Sequence, residues 1–166
     1  EAVFSVLDAV YIFTNDEEII NYINKEYHWT SKVVALIRDE ENANDIASTE
    51  SVLLEFAEKI NYEFSILCLL QATSPFTLAT DINQVINKVT VEAFDSALTV
   101  VKTHRFTWNS DGTPQNYDVF KRPRRQDFDG LLIENGAVYA TNKDAFLKSN
   151  NRISANIGLV EMHEES

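Results

Sequence analysis

The residue types best suited to chemistry crowd into the decapeptide "KRPRRQDFDG" at positions 121–130, where four cations fill the first five places and two carboxylates follow. A guanidinium makes paired, planar hydrogen bonds to a carboxylate or phosphate, a geometry that an ammonium cannot reproduce. Arg124 and Arg125, with Gln126 beside them, are therefore candidates for holding an anionic ligand. Two other readings stand beside that one. Arg122, Arg124 and Arg125 pair with Asp127, Asp129 or distant acids on a solvated loop. Alternatively, Lys121–Arg125 is a basic run of the kind that import receptors read, which would place the protein in the nucleus.

A second polar group is "QATSP" (71–75), directly after the apolar run "FSILCLL". Gln71 brings a donor and an acceptor, Thr73 and Ser74 bring hydroxyls, and Pro75 stiffens the turn, a set that suits a polyhydroxylated ligand. The competing reading is a turn whose hydroxyls cap the backbone amides of the next helix. A third group, "ENGAVYA" (134–140), sets Asn135-Gly136 at the start of a strand with Tyr139 behind it, and a tight Asn-Gly turn is its structural alternative. His28, His104 and His163 have no metal-ligand spacing, and His104 reads as a hydrogen-bonded surface or core histidine. The four glycines, at 112, 130, 136 and 158, form neither a dinucleotide-binding nor a P-loop pattern.

The elements that must position these groups follow from the hydrophobic pattern. Strands are predicted at 10–16, 32–37, 64–70, 95–103, 136–140 and within "NIGLVEM", the third as a strand buried on both faces. Helices are predicted from 17 to 27, over "ESVLLEFAEKI", over 80–92 and over "KDAFLKS". Asn15-Asp16 is placed to cap the first helix, and Ser48 or Thr49 the second. Residues 109–130 hold two of the four glycines and two of the three prolines, which predicts a loop. Strands alternating with helices give an α/β fold with a mostly parallel sheet, whose ligands gather at the carboxyl ends of the strands.

A chain of 166 residues with 45% hydrophobic and 24% charged residues is one ordinary globular domain. Its net charge of −12 argues against general nucleic-acid binding, which needs a basic face. Cys68, the one cysteine, has no internal disulfide partner and reads as a small buried hydrophobe. No apolar run reaches membrane-spanning length and the first residues lack a basic leader, so a cytoplasmic location is expected.

Taken in order, "STESVLLEF", "LLQATSPF", "FDSALTVVKTHRFTW", "KRPRRQDFDG" and "ENGAVYA" resemble the CMP-sialic acid synthetases (acylneuraminate cytidylyltransferases), and "KRPRRQD" and "QATSP" are closest to the animal-type enzymes. The resemblance implies a three-layer, Rossmann-like nucleotidyltransferase fold. It implies transfer of CMP from CTP to N-acetylneuraminic acid or a related nine-carbon acidic sugar, with pyrophosphate released, Mg²⁺ as cofactor, and assembly into homodimers or homotetramers. On the family's pattern, Gln71, Thr73, Ser74, Asn135 and Tyr139 lie on the sugar side, and Arg124, Arg125 and Gln126 beside the sugar carboxylate or the phosphates. Arg38, Asp45 and Ser48, within "RDEENANDIAST", match the loop near the cytosine.

Two departures accompany the match. The family's glycine- and lysine-rich loop after its first strand, which holds the triphosphate, has no counterpart here, and its metal-holding Asp-x-Asp stretch is not found after "GLVEM". The expectation is a cytidylyltransferase catalytic domain over 1–166 without those two segments, inactive by itself and with no metal ligands of its own. A non-catalytic partner that binds the acidic sugar or the nucleotide is the alternative.

Overall fold

The computed structural model describes residues 1–44 and 46–163. Two sheets make the frame. In the first, β1 (Val10–Thr14) and β2 (Val33–Ile37) pair in parallel from Val10↔Val33 to Thr14↔Ile37. In the second, β3 (Ile66–Leu70), β4 (Ser96–Thr103), β5 (Leu131–Asn142) and β6 (Ile157–Met162) lie in the order β3-β5-β4-β6. β5 runs antiparallel to both of its neighbours, while β4 and β6 are parallel. β3, β4 and β6 thus share one direction, with β5 as the reversed strand of a mostly parallel α/β sheet.

Helices cover both faces of the larger sheet, as the apolar periodicity requires. α3 (Ala79–Thr90) buries Ile82, Val85, Ile86 and Val89 against Ala97, Val138, Val160 and Met162. On the opposite face, Leu53 and Ala57 of α2 (Thr49–Lys59) close a second core with Leu67 and with Phe146 of α4 (Lys143–Ser149). The expected caps are in place. The Asp16 carboxylate accepts from the amides of Glu18 and Ile19 at 2.8 and 3.2 Å to start α1 (Glu17–Glu26), and Ser48 Oγ accepts from the Ser51 amide at 3.0 Å to start α2.

Two strands depart from the sequence pattern. β5 begins at Leu131 rather than at Gly136, because Leu131–Glu134 extend the ladder against Thr103–Val100. Asn135-Gly136 therefore lies inside a strand and not at its start. β3 is not enclosed on both faces. Only Leu67 of its five residues is buried, since β3 pairs with β5 along one edge and leaves the other edge open. That open edge and the open edge of β1 face a shared cavity of about 880 Å³, lined by Val10, Tyr11 and Phe13 from one side and by residues 65–70 from the other. Val52, Leu53 and Phe56 of α2 wall it on one flank, and Ile86, Asn87 and Thr90 of α3 on the other.

Candidate active site at the carboxyl edge of the sheet

The site is built around an irregularity between β4 and β5. Pairing runs through Leu98↔Tyr139 and resumes at Val100↔Glu134, so residues 135–138 of β5 stand opposite the single residue Thr99. Extra residues in one strand bend it and turn side chains toward a new direction. Thr99, at 1% exposure, fixes the bend. Its Oγ1 accepts from the Val138 amide at 3.0 Å and donates to Asn135 Oδ1 at 2.7 Å. Gly136 takes φ +76°, and a Cβ there would meet Gln71 Oε1 at 2.9 Å. Gln71 in turn donates its amide to the Ala137 carbonyl at 3.2 Å. Two sequence candidates, Gln71 and Asn135, are thereby brought together where β3 ends.

The hydroxyls of "QATSP" do not cap the following helix. The Leu78 amide donates to Asp81 Oδ2 at 2.8 Å and the Ala79 amide to Glu1 Oε2 at 3.0 Å, so other groups satisfy that terminus. Ser74 closes a turn by donating its amide to the Gln71 carbonyl at 3.1 Å, and Thr73 is exposed at the same edge.

Tyr139 lies beneath this edge rather than in it. Its ring is 3% exposed and packs with Leu98 and Leu69. Its hydroxyl donates to the Glu134 carboxylate, and the Arg152 guanidinium sits 4.9 Å from the ring centroid while pairing with Glu50 at 2.8 Å. Burial, and then the hydrogen bond that it donates to Glu134, pushes the Tyr139 hydroxyl up to about 12. The chain Glu134–Tyr139–Arg152–Glu50 ties β5 to the first turn of α2. Its last link, from Arg152 to Glu50, spans a sequence separation of 102, and no local pattern announces it. Thr99 was detectable in principle as the single hydroxyl inside "SALTVV", a run otherwise apolar after its first residue.

Of the nucleotide-side candidates, Arg38 stands at the end of the smaller sheet and Ser48 at the start of α2. Arg38 follows β2, donates its backbone amide to the Thr14 carbonyl at 3.0 Å and lines the cavity; its Nε is buried without a hydrogen-bond partner among the described residues. The loop behind it is held by Glu55, which accepts from the Asp39 amide at 2.7 Å and from Asn42 Nδ2 at 2.8 Å. Ser48 uses its oxygen as the α2 cap and keeps a proton to donate. Asp45 lies outside the described residues.

The basic decapeptide belongs to a long excursion between β4 and β5, and its cations have three different fates. Arg122 stacks on Phe106 and Tyr117, with its guanidinium carbon 4.6 and 5.5 Å from the ring centroids. Arg124 forks onto Asp127, with Nε to Oδ2 at 2.6 Å and Nη2 to Oδ1 at 3.2 Å. Arg125 is exposed and, among the described residues, has no carboxylate partner; Gln126 beside it is exposed too. His104 packs edge-on against Phe128 with ring centroids 6.4 Å apart. None of the hydrogen bonds or ion pairs of Arg124, the one of the three that makes any, joins residues 124–126 to Gln71 or Asn135. Among the described residues no three His, Cys, Asp or Glu side chains converge as metal ligands, and no helix is long and apolar enough to cross a membrane.

No family model matches the chain. Its sequence is 34% identical over 152 residues to N-acylneuraminate cytidylyltransferase B of Danio rerio, a match covering 87% of this chain and 34% of that protein. It is 34% identical over 139 residues to N-acylneuraminate cytidylyltransferase of Oncorhynchus mykiss, covering 80% of this chain and 31% of that one. The chain therefore spans about a third of the length of these relatives. Among solved structures, a CMP:2-keto-3-deoxy-manno-octonic acid synthetase complexed with CTP superposes with a TM-score of 0.65 at 16% identity, over 98% of this chain and 76% of that one. A 4-diphosphocytidyl-2C-methyl-D-erythritol synthase from Anaerococcus prevotii superposes at 0.61 and 13% identity, over 93% of this chain and 70% of that one. The two structures share its α/β nucleotidyltransferase fold, and in sequence the chain is a relative of the animal N-acylneuraminate cytidylyltransferases.

Proposed function

We propose that this chain is the catalytic domain of an N-acylneuraminate cytidylyltransferase, which transfers CMP from CTP to N-acetylneuraminic acid or a related nine-carbon acidic sugar. The observation that carries the reading is the meeting of Gln71 with Asn135-Gly136 at the carboxyl edge of the sheet. These two stretches resemble the family's sugar-side segments, and they lie far apart in sequence. Ligands of open α/β sheets collect at this edge.

In the proposed reaction the anomeric hydroxyl oxygen bonds to the α-phosphorus of CTP, the bond from that phosphorus to the bridging oxygen breaks, and pyrophosphate leaves with the hydroxyl proton lost to solvent. Such a transfer needs alignment and charge neutralisation more than covalent help. Gln71 and Asn135 orient the sugar, Arg38 and Ser48 the nucleotide, and Arg125, the arginine not engaged elsewhere in its segment, meets anionic oxygen with Gln126 beside it. A divalent ion such as Mg²⁺ supplies further neutralisation of phosphate when bound. The described residues offer it no ligand set, so they do not fit the ion by themselves.

The domain boundary belongs to the same proposal. The cavity between β1 and β3, two strands that do not pair, supports a catalytic domain whose triphosphate loop and metal segment are not among these residues. A homodimer or homotetramer is proposed as the working assembly, and the bare apolar surface at the start of β5 supports it. The test is pyrophosphate release from CTP by the encoded protein with N-acetylneuraminate, beside other nine-carbon acidic sugars. Release with one of them is expected. Sugar or cytidine binding without release would favour a non-catalytic partner.

A further inference from the structure

The geometry points to Thr99 as a positioning residue that fixes Asn135 as a hydrogen-bond donor toward the ligand, an inference that rests on the sugar-side reading of Asn135. Thr99 is buried at 1% exposure in the middle of β4, where its hydroxyl is the polar group between residues 135–138 and the rest of the sheet. The direction of each hydrogen bond follows from the backbone. The Val138 N–H can only donate, and it points at Thr99 Oγ1 from 3.0 Å. The one proton of the hydroxyl must then go elsewhere, and Asn135 Oδ1 at 2.7 Å is a better acceptor than the Val138 carbonyl at 3.4 Å.

A second donor settles which end of the Asn135 amide faces inward. The Ala137 N–H points at the same Asn135 atom from 3.3 Å. Two donors converging on one atom require an oxygen there, because an NH₂ group would set protons against protons. The amide nitrogen is consequently turned away, with Met162 Sδ, a weak acceptor, 3.3 Å from it. Asn135 thus has its carbonyl fully committed and its N–H groups free or weakly held. What it offers a ligand is a donor, and the ligand atom it selects is an acceptor: a hydroxyl, carbonyl or carboxylate oxygen.

Three substitutions test this. Thr99→Ser keeps the hydroxyl, Thr99→Val keeps the shape without it, and Asn135→Asp keeps the inward oxygen but turns the outward donor into an acceptor carrying charge. In the encoded protein, Thr99→Val is expected to raise the KM for the acidic sugar about tenfold and leave the KM for CTP unchanged. Thr99→Ser is expected to stay near the unsubstituted protein, and Asn135→Asp to raise the sugar KM further than Thr99→Val. A matching rise in both KM values, or equal loss in Thr99→Ser and Thr99→Val, would overturn the proposal. A readout independent of turnover accompanies these: hydrogen exchange at the Val138 and Ala137 amides should quicken in Thr99→Val and not in Thr99→Ser. If the unsubstituted protein releases no pyrophosphate with any acidic sugar, the functional reading fails. Retained Val138 protection in Thr99→Val would separately overturn the role of Thr99.

Discussion

Arg124 spends its guanidinium on Asp127 in an exposed pair, while Arg125 next to it is exposed and has no carboxylate partner among the described residues. An exposed pair of this kind contributes about 0–1 kcal/mol, so its job is to shape the turn. Arg125→Lys in the encoded protein should then lower kcat/KM by more than about tenfold, or about 1.4 kcal/mol, because the ammonium loses the paired geometry. Arg124→Lys should cost clearly less, and the reverse order would place the ligand on Arg124. Tyr139 carries a second expectation. Its neutral form is favoured in the fold, with the hydroxyl pushed up to about 12. The unfolded chain loses this proton first, near pH 10, so stability falls as pH rises from about 10 toward 12. Below that range the contribution is fully present. Urea midpoints between pH 8 and 11.5 should show this decline, and Tyr139→Phe should flatten part of it. Cys68, only partly buried as a residue but with its thiol withdrawn from water, is also held up to about 12, and it accounts for a slope that begins nearer pH 9 and survives that substitution. Tyr139→Ala, by contrast, empties a buried ring site and should cost about 3–5 kcal/mol. An unchanged pH slope in Tyr139→Phe would mean that the hydroxyl is not held neutral by its surroundings.

At the scale of the element, β5 decides where the proposed sugar-side groups stand. The left-handed Gly136 and the Thr99 bridge bend it, and the missing Cβ lets Gln71 lie against its backbone. Gly136→Ala should destabilise by roughly 1–2 kcal/mol from φ alone. It should also push Gln71 Oε1 aside, weakening sugar use while CTP affinity stays; equal loss for both ligands would count against the placement of Gln71. This strand also marks where the sequence stopped being readable. The apolar face of α3 and the caps at Asp16 and Ser48 could be read directly, since helical period and capping are local rules. Asn135-Gly136 followed local rules too, and those rules name a tight turn or a strand start. Only the pairing of Leu131–Ile133 with β4, a long-range event, converts it into a bend within a strand. Gln71 and Asn135 were identifiable as types, but their meeting depends on β3 pairing with β5 rather than with β4. Arg124 and Arg125 could not be told apart, because the fork to Asp127 depends on the local turn geometry.

For the molecule as a whole, two surfaces bear on assembly and on chemistry. The first spans the start of β5 and the excursion before it. Leu131, Leu132 and Ile133 are 39%, 47% and 45% exposed, and since alternate residues face opposite sides of a strand, both faces are bare there. Phe120 is almost wholly exposed in the same excursion. Contiguous apolar surface of this kind marks contact with another chain, so light scattering should give a mass above that of one chain, and Leu132→Glu should lower it. The second is the cavity between the two sheets. Described ring contacts across it run through Phe56 of α2, which meets Tyr11 at 5.1 Å and Phe13 at 5.6 Å. Arg38 follows β2 and lines that cavity, whereas Gln71 follows β3 and Asn135 lies in the neighbouring β5. Among the described residues, no ladder of backbone hydrogen bonds joins the two sheets. In-line transfer needs both substrates aligned within fractions of an ångström, and a misplacement of about 1 Å can cost on the order of a hundredfold. The 166 residues alone are therefore expected not to turn over CTP, for two reasons that add. Among the described residues no backbone ladder locks the two sheets in register, and the glycine- and lysine-rich loop that the resemblance implies has no counterpart in the sequence. Pyrophosphate release should be measured for these residues alone and for a chain extended with the encoded residues on both sides. Hydrogen exchange should be followed at the amides of β1 and β3 in each. Slow exchange and turnover should appear together in the extended chain only. Steady turnover by the 166 residues would show that packing through α2 aligns the halves well enough and that the phosphates are held by groups already present.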